Sequence, residues 1–143
     1  MGHRNRDHSV KKHPGAQLNQ ALARPILKAG GNGRLTCAGA HRLAREQNCL
    51  PKEIRIQADL LELRIAQCQL GLFGYARGQK NFNPDADIIP ELKERIFDVQ
   101  CDGAIGCKTC WELAKEFKIS RITMGSVCER LEIRIRSCQL GIF

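Results

Sequence analysis

Cysteine is the residue type in this sequence with the widest range of chemistry. The chain has 143 residues and eight cysteines, and Cys107 and Cys110 have the C-x-x-C spacing of many metal sites. With Cys101 upstream and Cys138 downstream, they would supply four thiolates, the tetrahedral set that structural zinc prefers. Cys128 is the alternative to Cys138 as the fourth ligand. These cysteines are the candidate metal ligands.

Residues for acid–base or nucleophilic catalysis are not grouped in the sequence. Three of the four histidines fall within the first 13 residues, which leaves His41 isolated. The glycine-rich stretch Gly30–Gly33 lacks the Lys-Ser/Thr pair of a phosphate-binding loop. We therefore expect no enzyme activity and no resident cofactor.

An internal repeat organises the chain. Residues 35–73 align with residues 105–143 at a constant offset of 70 without gaps, and 13 of the 39 aligned pairs are identical. The longest shared string is Cys-Gln-Leu-Gly, then Leu or Ile, then Phe, at 68–73 and 138–143. We interpret this string as a strand end and a turn whose apolar side chains close the core. The alternative is a surface for a ligand or a partner.

The same repeat weakens the metal hypothesis. Cys110 aligns with Ala40 in the other copy, and a free cysteine at such a position behaves as a small hydrophobic residue. Two cysteine positions recur in both copies, and the aligned pairs are Cys37/Cys107 and Cys68/Cys138. Two thiols per copy do not complete a site, so we expect no bound metal. A metal- or iron–sulfur-binding, redox-responsive regulator is the alternative.

The charge of the chain favours a polyanionic partner. Lys and Arg total 23 against 15 Asp and Glu, which gives a net charge of +8 and a pI near 9.3. Fixed positive charge of this kind is attracted to phosphate. No apolar run approaches the ~20 residues that a membrane span needs, and the charged N-terminus has no apolar region behind it. We expect a cytoplasmic protein that binds nucleic acid and not a membrane.

Hydrophobic periodicity predicts the same elements in both copies. Each copy has a first helix, a short extended stretch, two further amphipathic helices around a tight turn, and a strand with alternating polarity. We divide the chain into a basic polar tail at 1–16, a first module at 17–77, a linker at 78–87 and a second module at 88–143.

This order of elements resembles the winged helix-turn-helix superfamily. The residues that carry the resemblance are Ala40–Glu46 with Ile54–Leu63, and Cys110–Glu116 with Met124–Ile133. It implies a mostly α fold with small β-hairpins, built as a tandem repeat of two winged-helix-like modules. It also implies that the last helix of each module enters the DNA major groove while a hairpin wing contacts the backbone.

The last helix of each module is the expected reading helix, and Gly71–Lys80 is the expected wing. Both carry side chains suited to contacts with DNA. Arg can bind guanine and Gln can bind adenine through two hydrogen bonds each, and Lys and Ser contact phosphates. The candidate DNA-binding residues are Lys52, Arg55, Gln57, Arg77, Lys80, Arg121, Thr123, Ser126 and Arg130. We expect a transcriptional regulator that binds duplex DNA. RNA binding by the same surface and a protein-interaction adaptor are the alternatives.

Overall fold

The computed structural model describes residues 13–143, apart from the side chain of Arg77. The chain forms two compact units, of which the first ends at Gln67 and the second begins at Cys68. Residues 68–77, which we expected at the end of the first module, therefore belong to the second unit. Residues 1–12 of the expected basic tail lie outside the described residues.

The first unit consists of three helices and two short strands. In chain order its elements are α1 (Gln20–Ala29), β1 (Arg34–Thr36), α2 (Cys37–Glu46), α3 (Pro51–Leu60) and β2 (Arg64–Ala66). Side-chain oxygens cap the first two helices: Asn19 accepts from the Ala21 amide, and Thr36 accepts from the Gly39 amide. The core is apolar and includes Leu22, Ile26, Leu35, Ala40, Leu43, Ile54 and Ala58.

The second unit repeats these elements at the offset found in the sequence. After a 3₁₀ helix (Ala76–Gly78) come α4 (Pro90–Val99), β3 (Ala104–Gly106), α5 (Cys107–Glu116), α6 (Arg121–Arg130) and β4 (Arg134–Arg136). The expectation of a mostly helical, repeated fold is confirmed. Within residues 13–143, no helix has both the length and the apolar character required to cross a membrane.

The backbone repeats even where the side chains differ. Asn48 and Lys118, at the equivalent turns between α2 and α3 and between α5 and α6, have φ angles of 55° and 56°. Gln67 and Ser137, which follow the second strand of each unit, have φ angles of 51° and 56°. These left-handed conformations are uncommon for Lys and Ser. The turn geometry is therefore set by the packing of the elements and not by local residue preference.

The strands pair in parallel, so the expected β-hairpins are wrong. Arg34 lies opposite Arg64 in the β1–β2 pair, and Ala104 lies opposite Arg134 in the β3–β4 pair. Two helices lie between the strands of each pair in the sequence. They form a crossover connection, so the second strand runs in the same direction as the first. The expected wing at 71–80 contains bends and the 3₁₀ helix in place of a strand.

The string shared by both copies forms the same turn twice, as expected. The Cys68 amide donates to the Phe73 carbonyl over 3.1 Å, and the Gly71 amide donates to the Cys68 carbonyl over 3.0 Å. The equivalent bonds in 138–143 measure 3.0 and 2.8 Å. Leu70 and Leu140 are fully buried, which confirms that the leucines of the string close a core, whereas Phe143 is 45% exposed and does not.

The first of these turns packs against a glycine inside α6. A Cβ atom placed on Gly125 would lie 1.8 Å from the carbonyl oxygen of Leu70, far inside van der Waals contact. A glycine is unfavourable within a helix by roughly 1 kcal/mol. Its presence here is explained by the close approach of the backbone at Leu70, which a side chain at position 125 would prevent.

We predict that Gly125→Ala destabilises the second unit, because the added methyl group must displace backbone and not a flexible side chain. Overpacking of this kind costs roughly 1–3 kcal/mol, which thermal denaturation followed by circular dichroism will show as a lower transition midpoint. Gly31→Ala is the matched control, since a Cβ at Gly31 meets nothing within 4 Å. Equal stability of the two variants would contradict the packing at Leu70.

Candidate nucleic-acid interface

The helix expected to read DNA in the first unit, α3, does not present the expected side chains to solvent. Lys52 in its first turn is exposed, but Arg55 and Gln57 are each only 8% exposed. Gln57 accepts a hydrogen bond from the Asn19 amide over 2.8 Å and donates one to the Gln17 carbonyl over 3.0 Å. The segment before α1 therefore lies across the face of α3 that carries Gln57.

Arg55 also makes internal contacts. Its Nε atom lies 2.9 Å from Oδ2 of Asp59, one helical turn further along α3. The same carboxylate oxygen lies 2.7 Å from Nε2 of His13. Arg55 thus belongs to a three-residue polar network that holds His13 against α3. The expectation that Arg55 and Gln57 form an outward reading face is wrong, because the helix face is covered by its own N-terminal segment.

The equivalent helix of the second unit, α6, is covered in a similar way. Ser126 is fully buried, and its hydroxyl accepts a hydrogen bond from the Asn83 amide and donates one to the Ile122 carbonyl, both over 2.8 Å. Thr123 is part of the helix cap, where its amide donates to Ser120 Oγ over 3.0 Å. The expected DNA contact by Ser126 is therefore wrong, since its hydroxyl is used inside the unit.

The basic candidates in the second unit have different surroundings. Arg130 is exposed, although its guanidinium donates to the Ala86 carbonyl over 2.5 Å. Lys80 is exposed and lies 3.8 Å from a carboxylate oxygen of Glu129. Arg77 lies in the 3₁₀ helix, and its side chain is outside the described part of the chain. Arg130 and Lys80 thus each contact a group of their own unit.

Arg121, the remaining basic candidate, stacks on an aromatic ring. Its guanidinium carbon lies 3.6 Å from the centroid of the Trp111 ring, within the range of a cation–π interaction. Its Nη1 atom donates to Oε1 of Gln69 over 3.3 Å. Arg121 is thus oriented by two neighbours at the start of α6.

The strand pairs carry exposed arginines that the sequence reasoning did not select. Arg34 and Arg64 are register partners in the parallel β1–β2 pair, and both are exposed. Arg134 and Arg136, on β4, are also exposed. A sequence signal for them existed, because Arg64 and Arg134 are identical at the repeat offset and alternate with apolar residues. The alternation by itself indicates only the polar side of a half-buried strand.

Two arginines of the first unit border a small recess of about 260 Å³. Arg34 and Arg42 line it together with the polar residues Asn32, Thr36 and Gln67. No acidic side chain is among its lining residues, all of which fall in the described part of the chain. The lining of the recess therefore presents positive charge and hydrogen-bond donors, while Arg42 also lies 3.9 Å from Oε1 of Glu46, one helical turn further along α2.

The cavity beside β4 in the second unit is less favourable to anions. It measures about 560 Å³, and its charged lining residues are Lys80, Arg134, Arg136, Glu129 and Glu132.

The net charges of the two whole units differ in the same way as their cavities. Residues 13–67 contain eight Lys or Arg and four acids, whereas residues 68–143 contain eleven and ten. The first unit is thus the more basic of the two.

Comparisons with known proteins give no family for the chain. No family model, no curated protein and no solved structure matches it. The resemblance to the winged helix-turn-helix superfamily therefore rests on the order of the helices alone, and the parallel strands depart from it.

The candidate metal ligands are not assembled into a site. Among residues 13–143, no three His, Cys, Asp or Glu side chains are grouped so that they could hold a metal ion. Cys101 is exposed and Cys138 half-buried, whereas Cys107 and Cys110 are buried. A hydrogen bond to Cys128 and burial raise the pKa of Cys110. Cys110 therefore packs as a neutral thiol between α5 and α6.

Cys107 lies close to both copies of the shared turn. Gln139 Nε2 is 3.5 Å from its sulfur. Burial raises the pKa of Cys107, hydrogen bonds from Gln139 lower it to a smaller extent, and the neighbouring Cys138 and Cys68 raise it further. Since the net direction is upward, this thiol is protonated at neutral pH and is a poor nucleophile and metal ligand in that form.

We predict that Arg55→Ala lowers stability, because it leaves the Asp59 carboxylate, which Arg55 and His13 share, without its guanidinium partner. Loss of one member of such a part-buried network costs roughly 1–3 kcal/mol, measurable as a lower midpoint of chemical denaturation. Lys52→Ala, which removes the same charge from the same helix, is the control and should leave the midpoint unchanged. If both variants matched the wild type, Arg55 would not be the structural residue described here.

Proposed function

We propose that the first unit binds the phosphate backbone of duplex DNA through Arg34, Arg64 and Arg42. The register of the parallel strands carries this proposal, because it puts Arg34 directly opposite Arg64 with both side chains exposed. Like charges at directly opposite positions of a strand pair destabilise it. A bound polyanion removes that repulsion.

Arginine suits this role better than other cations would. Its planar guanidinium donates two parallel hydrogen bonds to a phosphate and keeps its charge at every physiological pH. Neighbouring strands lie about 4.8 Å apart, so Arg34 and Arg64 can reach the same phosphate or adjacent ones. Arg42, which lines the same recess as Arg34, adds a third cation from α2.

Two further cations of the first unit are available for phosphate contacts. Arg45 in α2 and Lys52 in α3 are exposed, and both can add phosphate contacts. Arg55 and Gln57 are used inside the unit, so the proposal includes no base reading by them. Phosphate contacts fix the position of a protein on DNA but carry no sequence information directly. We therefore propose backbone-dominated binding with weak sequence preference, and a role in transcription would follow from that binding.

We predict that the double variant Arg34→Ala/Arg64→Ala weakens binding to a labelled random-sequence duplex at low salt. Each lost charged hydrogen bond is worth roughly 1.5 kcal/mol, so affinity should fall by about a hundredfold in fluorescence anisotropy. The matched control is Arg24→Ala/Lys28→Ala, which removes the same charge from exposed positions of α1. This control should lose less than tenfold.

Two outcomes would contradict the proposal. Equal losses in the double variant and its control would show that only net charge matters and not the strand pair. No binding of the wild-type chain at low salt would remove the DNA-binding proposal and favour the protein-interaction adaptor.

A further inference from the structure

The second unit contains a cavity of about 670 Å³ that the proposed DNA contact does not use. It lies along α5 and the start of α6, and its volume is within the roughly 300–1,000 Å³ of small-molecule sites. Its functional side chains are one aromatic ring, three cations and two amides: Trp111, Lys108, Lys115, Arg121, Gln69 and Gln139.

The charge of this cavity suits a phosphate group. Glu112 is the one acid among its lining residues, against the three cations. A phosphate monoester carries about −1.5 to −2 at neutral pH, which the surplus of two positive charges would neutralise. Arg121 is already oriented by its contacts with Trp111 and Gln69, so little ordering of that side chain is needed on binding.

The turn formed by the shared string does not require the side chains of its two glutamines. The turn is held by backbone hydrogen bonds and by buried leucines, and none of these contacts needs the glutamine side chain. Yet Gln69 and Gln139, at equivalent positions of the two copies, both line this cavity. A ligand that contacts both amides would explain why glutamine occurs at this position in both copies.

The hydrogen bonds that the two amides make leave one hydrogen-bond donor and one acceptor in the cavity. Gln69 uses its oxygen to accept from Arg121, so its NH₂ group remains a donor. Gln139 uses its nitrogen to contact the Cys107 sulfur, so its oxygen remains an acceptor. The edge of a nucleobase presents donors beside acceptors. The Trp111 ring, one face of which is covered by the Arg121 guanidinium, adds apolar surface beside the two amides.

We propose that this cavity binds a nucleoside 5′-phosphate, with the base against Trp111 and the two glutamines and the phosphate on Lys108 and Arg121. This site belongs to the second unit and is independent of the arginines proposed to bind DNA. The same chemistry is offered by a free mononucleotide and by a 5′-phosphorylated end of a single strand.

The single tryptophan of the chain provides a direct test. Titration with AMP should change Trp111 fluorescence in a saturable way, and adenosine or inorganic phosphate alone should bind at least tenfold more weakly. Lys108→Met and Gln69→Leu should each weaken AMP binding at least fivefold. Arg95→Met is the control, because Arg95 is exposed and pairs with Glu116 outside the cavity, and it should bind AMP like the wild type.

A 5′-phosphorylated single-stranded tetranucleotide and its unphosphorylated form identify the source of the ligand. Tighter binding of the phosphorylated strand than of AMP would assign the site to strand ends, and the reverse would assign it to free nucleotides; either supports the proposal. Equal binding of AMP and adenosine, the absence of a saturable change, or unaltered AMP binding by both cavity variants would overturn it. These outcomes do not involve duplex binding, so they leave the function proposed for the first unit to its own test.

Discussion

The parallel pairing of two three-residue strands is the constraint on which each unit depends. In the first unit, α2 and α3 occupy the chain between β1 and β2, and the register places residue 34 opposite residue 64. So short a pair contributes few hydrogen bonds of its own. Its apolar side chains are buried, such as Leu35 of β1 and Ala66 of β2. The exposed strand positions are all arginines: Arg34 and Arg64 in the first unit, and Arg134 and Arg136 on β4 of the second.

A second consequence of the fold is that the last helix of each unit is not free on its outer face. The segment before the first helix crosses that face through buried polar contacts, with Gln57 in one unit and Ser126 in the other. Such contacts are specific because a buried polar group without its partner is costly. This arrangement uses residues that a major-groove helix would need, so the proposed phosphate contacts lie on the strands, on α2 and at Lys52 of α3.

Much of the fold could be predicted from the sequence, because the repeat gives each periodic pattern twice. The spacing of apolar residues predicts the helices around the aligned residues Leu43 and Leu113. The glycines of the shared string predict its turn. Strand direction could not be predicted in this way. Alternating polarity shows that a strand is half-buried, but it contains no information about which neighbour it pairs with.

The candidate site was harder to predict than the fold. Arg55 and Gln57 are polar residues on a helix, which usually indicates a solvated face. Their burial depends on residues 13–19, a segment without a periodic pattern. Arg64 and Arg134 were visible as identical aligned residues, but their meaning depended on the parallel register that puts Arg34 beside Arg64. The residue spacing within one helix or strand does not predict a contact between residues of different elements.

The salt dependence of duplex binding tests the central claim most directly, because each phosphate neutralised adds about 0.9 to the slope of log K against log salt. If the strand arginines contact phosphates, the Arg34→Ala/Arg64→Ala chain should have a slope smaller by about 2 than that of the wild type. An unchanged slope in that variant would contradict the account, since the two arginines would then neutralise no phosphate.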